Sequence, residues 1–263
     1  MSSSAPAFVL IHGLSSNLRL WDGVRDALVA SGARVVAMDL RGHGPRSPKP
    51  DAGYDVPTVA GDVAALVERL GLERPVVAGQ SWGGHVALEL AASWPSLVGA
   101  LALIDGGWMD LSQLGSWEST VERLAPPRSE GMPVEELVAR LPGFARDAML
   151  ASFEIRDDGT VAPWLTYERH LLVLRGMWEH RPPSLYERVH VPVLLVPCDD
   201  GGERGALWRE PKRDAICVAE KSLAHAGVRT HWFAAAHDVH AQHPREVAAL
   251  LLELSEQACV PSS

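Results

Sequence analysis

The feature that most constrains this 263-residue chain is an alternation of short, largely apolar runs with longer stretches of helical periodicity. The runs are Ala7 to Ile11, Arg34 to Met38, Pro75 to Ala78, Val98 to Ile104, Val191 to Val196 and Val228 to Phe233. Each reads as a buried strand. Between them, apolar residues recur at three- and four-residue spacing around Leu18 to Ala30, Val59 to Leu70, Trp82 to Ser93, Lys212 to Ala226 and Pro244 to Glu256. Strands alternating with helices predict an α/β fold: a parallel sheet of six strands flanked by helices on both faces.

One interval breaks the rhythm. The roughly 85 residues from Gly106 to His190 hold no convincing strand, and no ordinary crossover needs so many. Helical pieces at Pro133 to Leu141, Ala145 to Phe153 and Leu165 to Trp178, separated by Pro and Gly, describe an inserted unit with a turn at Arg156 to Thr160. The expected division is a core of residues 1–106 and 190–263, with 107–189 as a helical cap.

Composition narrows the function classes. Hydrophobic residues make up 47%, and 23 Gly with 19 Pro suit a packed interior with many turns rather than disorder. A formal charge of −9 leaves no electrostatic footprint for a nucleic-acid backbone. Three cysteines, Cys198, Cys217 and Cys259, are too few and odd in number for a disulfide-built secreted protein. Met1 to Ala7 lacks a basic residue, Phe8 to Ile11 is too short for the apolar part of a signal peptide, and no later run nears the ~20 residues of a membrane span. The chain is therefore expected to be soluble and cytoplasmic, with neither nucleic acid nor membrane as partner.

The expected strand Val76-Val77-Ala78 runs into Gly79-Gln80-Ser81-Trp82-Gly83-Gly84 and then an apolar helix. In that strand, turn, helix context Gly-x-Ser-x-Gly carries meaning. The turn is so tight that side chains flanking the serine would collide, and Gly79 and Gly83 remove them. Ser81 is thereby held strained above the C-terminal edge of the sheet, beside a helix N-terminus whose dipole favours developing negative charge. A serine hydroxyl is a poor nucleophile at neutral pH and needs a base that an acid orients. After the last expected strand comes Ala236-His237-Asp238-Val239-His240-Ala241-Gln242-His243-Pro244. His237 is first past the strand and is the expected base, whereas His240 and His243 lead into the final helix that Pro244 starts.

With His12-Gly13 after the first strand and Asp39-Leu40-Arg41-Gly42-His43-Gly44 after the second, nearly the whole chain resembles the α/β-hydrolase fold superfamily. The resemblance implies the order nucleophile, acid, histidine, which Ser81 and His237 match. It also implies an oxyanion hole formed by the backbone amides of Trp82, next after the nucleophile, and of Leu14, in the loop after His12-Gly13. His12 itself is expected only to pack beneath that loop. Family members commonly begin with two antiparallel strands, but six residues precede Ala7, so a core lacking that hairpin is expected.

The acid departs from the pattern. Where the family usually has Gly-x-x-Asp after the strand that follows the insertion, this chain has Pro197-Cys198-Asp199-Asp200-Gly201-Gly202, so Cys198 takes the glycine position and Gly201 the aspartate position. One deletion restores Asp200. The other candidate is Asp105, at the end of the strand beside the nucleophile strand, where haloalkane dehalogenases place their acid. Asp105 is preferred and Asp200 is kept as the alternative.

An insertion that begins right after Asp105 must cover the site, and caps choose substrates. It holds four of the nine tryptophans, Trp108, Trp117, Trp164 and Trp178; Trp108, Trp164 and Trp178 are expected to line an apolar pocket, with Trp82 helping to wall it. Arg140, Arg146, Arg169 and Arg175 read as solvated helix faces or as a hold for a substrate carboxylate. The resemblance and these residues imply a serine hydrolase of an ester, thioester, lactone or amide of a small, largely hydrophobic molecule, with no cofactor and no metal. Carbon–carbon bond hydrolysis by the same triad is the alternative, and a noncatalytic ligand receptor or a cofactor-free lyase can occupy the same scaffold.

Overall fold

The four central strands of the core are apolar on both faces, and the computed structural model, which describes residues 5–258, shows what covers each face. Cys259 lies outside the described residues. In chain order the first half of the core is β1 (Ala7–Ile11), α1 (Asp22–Ala30), β2 (Arg34–Met38), α2 (Val56–Arg69), β3 (Val76–Gln80), α3 (Trp82–Ser93) and β4 (Ala100–Ile104). The segment that follows holds α4 (Trp117–Leu124), α5 (Val134–Arg140), α6 (Arg146–Leu150), β5 (Phe153–Ile155), β6 (Val161–Pro163) and α7 (Tyr167–Glu179). The core resumes with β7 (Val193–Val196), α8 (Glu203–Ser222), β8 (Val228–Thr230), α9 (Val239–Gln242) and α10 (Pro244–Ala258).

The six core strands form one sheet in the order β2-β1-β3-β4-β7-β8, and every neighbouring pair is parallel. Side chains alternate across it. Val9, Ile11, Val77, Leu101 and Leu103 pack with Val59 and Val63 of α2 and Val86 and Leu90 of α3. Phe8, Leu10, Ala78, Ala102 and Ile104 pack instead with Val24 and Leu28 of α1 and Val247, Leu251 and Leu254 of α10. The chain leaves β1 toward β2 on one side and returns as β3 on the other. The loops after β1 and β3 therefore diverge at the carboxyl edge, which is where open α/β sheets form ligand crevices.

The structure corrects several expected elements. The segment between β4 and β7 is not wholly helical: β5 and β6 pair antiparallel around the turn at residues 156–160, in a hairpin whose three-residue strands are too short to show an alternating pattern. It also holds α4, an element not expected from the sequence. Helix α8 begins well before Lys212 and carries Pro211 inside it, where the ring removes one backbone donor, so periodicity located only its second half. The last strand stops at Thr230, and Phe233 joins the sheet only through a single bridge to Cys198. Among the described residues no helix is long and apolar enough to cross a membrane.

Candidate active site

Strand β3 passes into α3 through one residue, Ser81, whose φ of 54° is a left-handed value that a non-glycine residue adopts at a cost of about 1–3 kcal/mol. Close packing of backbone on backbone forces the turn. A side chain at Gly79 would meet the Gly84 nitrogen at 2.7 Å, and one at Gly106 would meet the Ser81 carbonyl carbon at the same distance. The Ser81 amide donates to the carbonyl of Ile104 at 2.9 Å, which fastens the turn to β4. Strain concentrates here: of the four non-glycine residues with positive φ among the described residues, Ser15, Ser81 and Asp105 lie at this sheet edge.

Asp105, the first residue past β4, has φ 43° and a side chain 3% exposed. Its Oδ2 accepts from Nδ1 of His237 at 2.6 Å, and its Oδ1 accepts from the Cys198 amide at 2.9 Å and from Nζ of Lys212 at 2.6 Å. A carboxylate on Nδ1 fixes that nitrogen as the proton carrier, so Nε2 of His237 keeps its lone pair. Burial opposes a charge on Asp105, yet the hydrogen bond and charge of His237 together with the charge of Lys212 outweigh it and hold the carboxyl below the usual carboxylate range. Burial likewise opposes a charge on His237, and Asp105 outweighs it, raising the imidazole above its ordinary 6.5. The His237 loop is held by Gln80, whose Nε2 donates to the His237 carbonyl at 3.2 Å.

Ser81 and His237 line one cavity of about 810 Å³, roofed by residues of the segment after β4 such as Leu137, Met149, Phe153 and Leu165. Leu14 lines it as well. Among the described residues neither the Leu14 nor the Trp82 amide donates to a protein acceptor. Beneath them His12 donates from Nδ1 to the Gly13 carbonyl at 2.8 Å and accepts from the Leu40 amide on Nε2 at 3.0 Å. It is fully buried, and burial lowers its pKa, so it supports the loop as a neutral ring.

Other expected positions lie elsewhere. Asp200 is exposed, and among the described residues its Oδ1 accepts from the Gly202 amide, at 2.8 Å, and not from His237. Trp108, Trp164 and Trp178 do not line the cavity. Trp108 is 1% exposed within the core, Trp164 lies under the Lys49 ammonium, and Trp178 donates to the Gly115 carbonyl while packing on Trp117. Trp108 is sealed in the core while Trp164 and Trp178 are half-buried, so in this segment the rings pack on the protein rather than face the cavity. Trp82 likewise turns its ring away, stacking on the buried His43 at 5.0 Å. Of the four arginines, Arg140 borders the cavity but pairs with Glu136, Arg146 is exposed at the start of α6, Arg169 donates to the Lys49 and Pro50 carbonyls, and Arg175 pairs with Glu179. His240 is completely buried against Trp21, and His243 pairs with Glu246 near the surface.

Three contributors were not legible in sequence. Lys212 reaches Asp105 across 107 residues of chain, and Ser15 reaches His170 across 155. Gln80 sits inside the motif, but nothing in the motif says that its amide clamps the histidine loop. Among the described residues no three His, Cys, Asp or Glu side chains are grouped to hold a metal ion.

Residues 6–157 match the α/β hydrolase fold family, and the chain belongs to it. The 2-(acetamidomethylene)succinate hydrolase of Mesorhizobium japonicum is 28% identical over 198 residues, covering 73% of this chain and 70% of that protein. An uncharacterized protein of Mycobacterium tuberculosis is 38% identical over 144 residues, 54% of this chain but 40% of its own length, so the chain matches less than half of that relative. The crystal structure of E-2-(acetamidomethylene)succinate hydrolase superposes with a TM-score of 0.78 over 97% of this chain and 92% of that one; at 22% identity it shows a shared fold.

Proposed function

We propose that the chain is a serine hydrolase that cleaves an ester, thioester, lactone or amide whose bulk is apolar. The single observation that carries this reading is the 2.6 Å bond between Asp105 and His237, opening onto the same cavity as the strained Ser81. Nε2 of His237 takes the Ser81 proton as the hydroxyl attacks the carbonyl carbon. The oxyanion then forms against the Leu14 and Trp82 amides, neither of which donates to another group among the described residues. The leaving group departs with the proton from His237, and a water activated by the same ring releases the acyl group from Ser81. Asp105 keeps the imidazole in the required tautomer and offsets its transient charge.

Residues 107–189 act in this reading as a cap that closes the cavity over Ser81 and selects substrates by apolar fit. The test is hydrolysis of p-nitrophenyl acetate and butyrate by the parent protein and Ser81→Ala. Turnover that disappears in the variant supports the hydrolase. Absence of turnover with both substrates in the folded parent, alongside saturable ligand binding, favours a noncatalytic receptor.

A further inference from the structure

Lys212 is joined to the site by three facts that the proposed reaction does not use. Its Nζ lies 2.6 Å from Oδ1 of Asp105 and 2.7 Å from the Cys198 carbonyl. Its side chain is only 15% exposed. It comes from α8, just past the Pro211 that interrupts that helix's donors, so the ammonium bridges the ends of β4 and β7 at the carboxyl edge. Without it Oδ1 would keep one donor, the Cys198 amide, on a residue whose backbone is already strained.

We propose that Lys212 is a positioning residue: its ammonium locks the Asp105 carboxylate in register with His237 and moderates how tightly that carboxylate holds the imidazole's proton. The inference rests on the reading of Asp105 and His237 as acid and base. In an ion pair this close, with one partner almost wholly buried, solvent screens the charge of Lys212 little, so Asp105 and His237 feel it strongly. Removing the cation leaves the negative Asp105 alone beside His237, and an uncompensated carboxylate favours the imidazolium. The other titratable groups at this corner do not substitute for Lys212. Asp238, next to His237, is an acid whose pKa burial raises, Cys198 is a thiol that burial pushes up, and His12 and His240 are buried neutral rings.

The experiment is a histidine NMR titration of the parent, Lys212→Met and Lys212→Arg, paired with the pH profile of kcat/KM on p-nitrophenyl butyrate. The expected result is a His237 midpoint about one pH unit higher in Lys212→Met and near the parent value in Lys212→Arg. The acid limb of the activity profile should move with it, and kcat on the plateau should fall about tenfold while KM holds. A parent-like His237 midpoint in folded Lys212→Met overturns the proposal. Should Lys212→Met fail to fold, Lys212→Gln removes the charge while keeping a donor for the Cys198 carbonyl, and must shift the midpoint the same way. The titration needs no turnover, so an inactive parent would overturn the hydrolase reading while Lys212 is still judged by the midpoint.

Discussion

The hydroxyl of Ser15, one residue past Leu14, donates to Nδ1 of His170 on α7 at 2.9 Å. Nε2 of that ring faces the Leu124 carbonyl at 3.3 Å and so carries the hydrogen, while burial lowers the His170 pKa to about 4 and keeps the ring neutral. Asn17 adds two bonds of 2.7 Å, to the Ala148 carbonyl and the Ser152 hydroxyl. The loop after β1 is thus tied down by the segment above it.

If that loop supplies an oxyanion donor, loosening the tie harms catalysis more than binding. His170→Ala is expected to lower kcat about tenfold with little change in KM, against a stability loss of about 2–4 kcal/mol, since it empties a buried site and removes both hydrogen bonds of the ring. Steady-state kinetics and thermal melts check the two parts separately.

The two candidate acids make opposite predictions. Asp105→Asn leaves the shape but offers His237 the wrong partner for its tautomer, and a drop in kcat of about 10⁴ is expected, as for the equivalent change in a serine protease triad. Asp200→Asn disturbs only a loop bond to Gly202 and should change kcat less than about twofold.

The pH dependence follows from the same pair. His237 must be neutral to act as base, and its pKa is raised above 6.5, so kcat/KM should fall as pH drops through a midpoint above that value. Stability has its own acid dependence. His170 and His240 are held at about 4 and about 3 when folded, below 6.5, so between those values the unfolded chain binds more protons than the native one. Each of these rings therefore costs about 1.4 kcal/mol per pH unit as pH falls below 6.5, with the loss complete only below the folded pKa. Among the described residues neither ring nitrogen of His240 has a protein partner, so His240→Leu should flatten the melting temperature against pH without destabilising the protein near neutrality.

The cavity wall predicts selectivity. Met149→Trp, which fills the roof, should reduce kcat/KM for hexanoyl and longer p-nitrophenyl esters more than for acetate. Trp164→Ala, which lies outside the wall, should leave the acyl-length profile unchanged.

Much of this fold is written locally. Apolar runs such as Ala7 to Ile11 and Val98 to Ile104 hold the strands β1 and β4 because residues buried on both faces leave a continuous signal. The elbow at Ser81 is legible because a strand, two glycines and a helix are consecutive in sequence. Side-chain destinations in the segment after β4 are not, since periodicity names an apolar face but not whether a cavity or the rest of the protein meets it; Trp108, Trp164 and Trp178 all lie outside the cavity wall. The short hairpin of β5 and β6 escaped for want of length, and Lys212 escaped because its partner is set by how α8 crosses the sheet edge.

The proposed reaction stands most directly on Ser81 as a nucleophile activated by His237. Incubating the folded protein with a fluorophosphonate and mapping the adduct by peptide mass spectrometry tests it. The expected result is one adduct, on Ser81, absent in Ser81→Ala and formed at least about a hundredfold more slowly in His237→Ala. An unmodified Ser81 in the folded parent, or labelling at the same rate without His237, would contradict it.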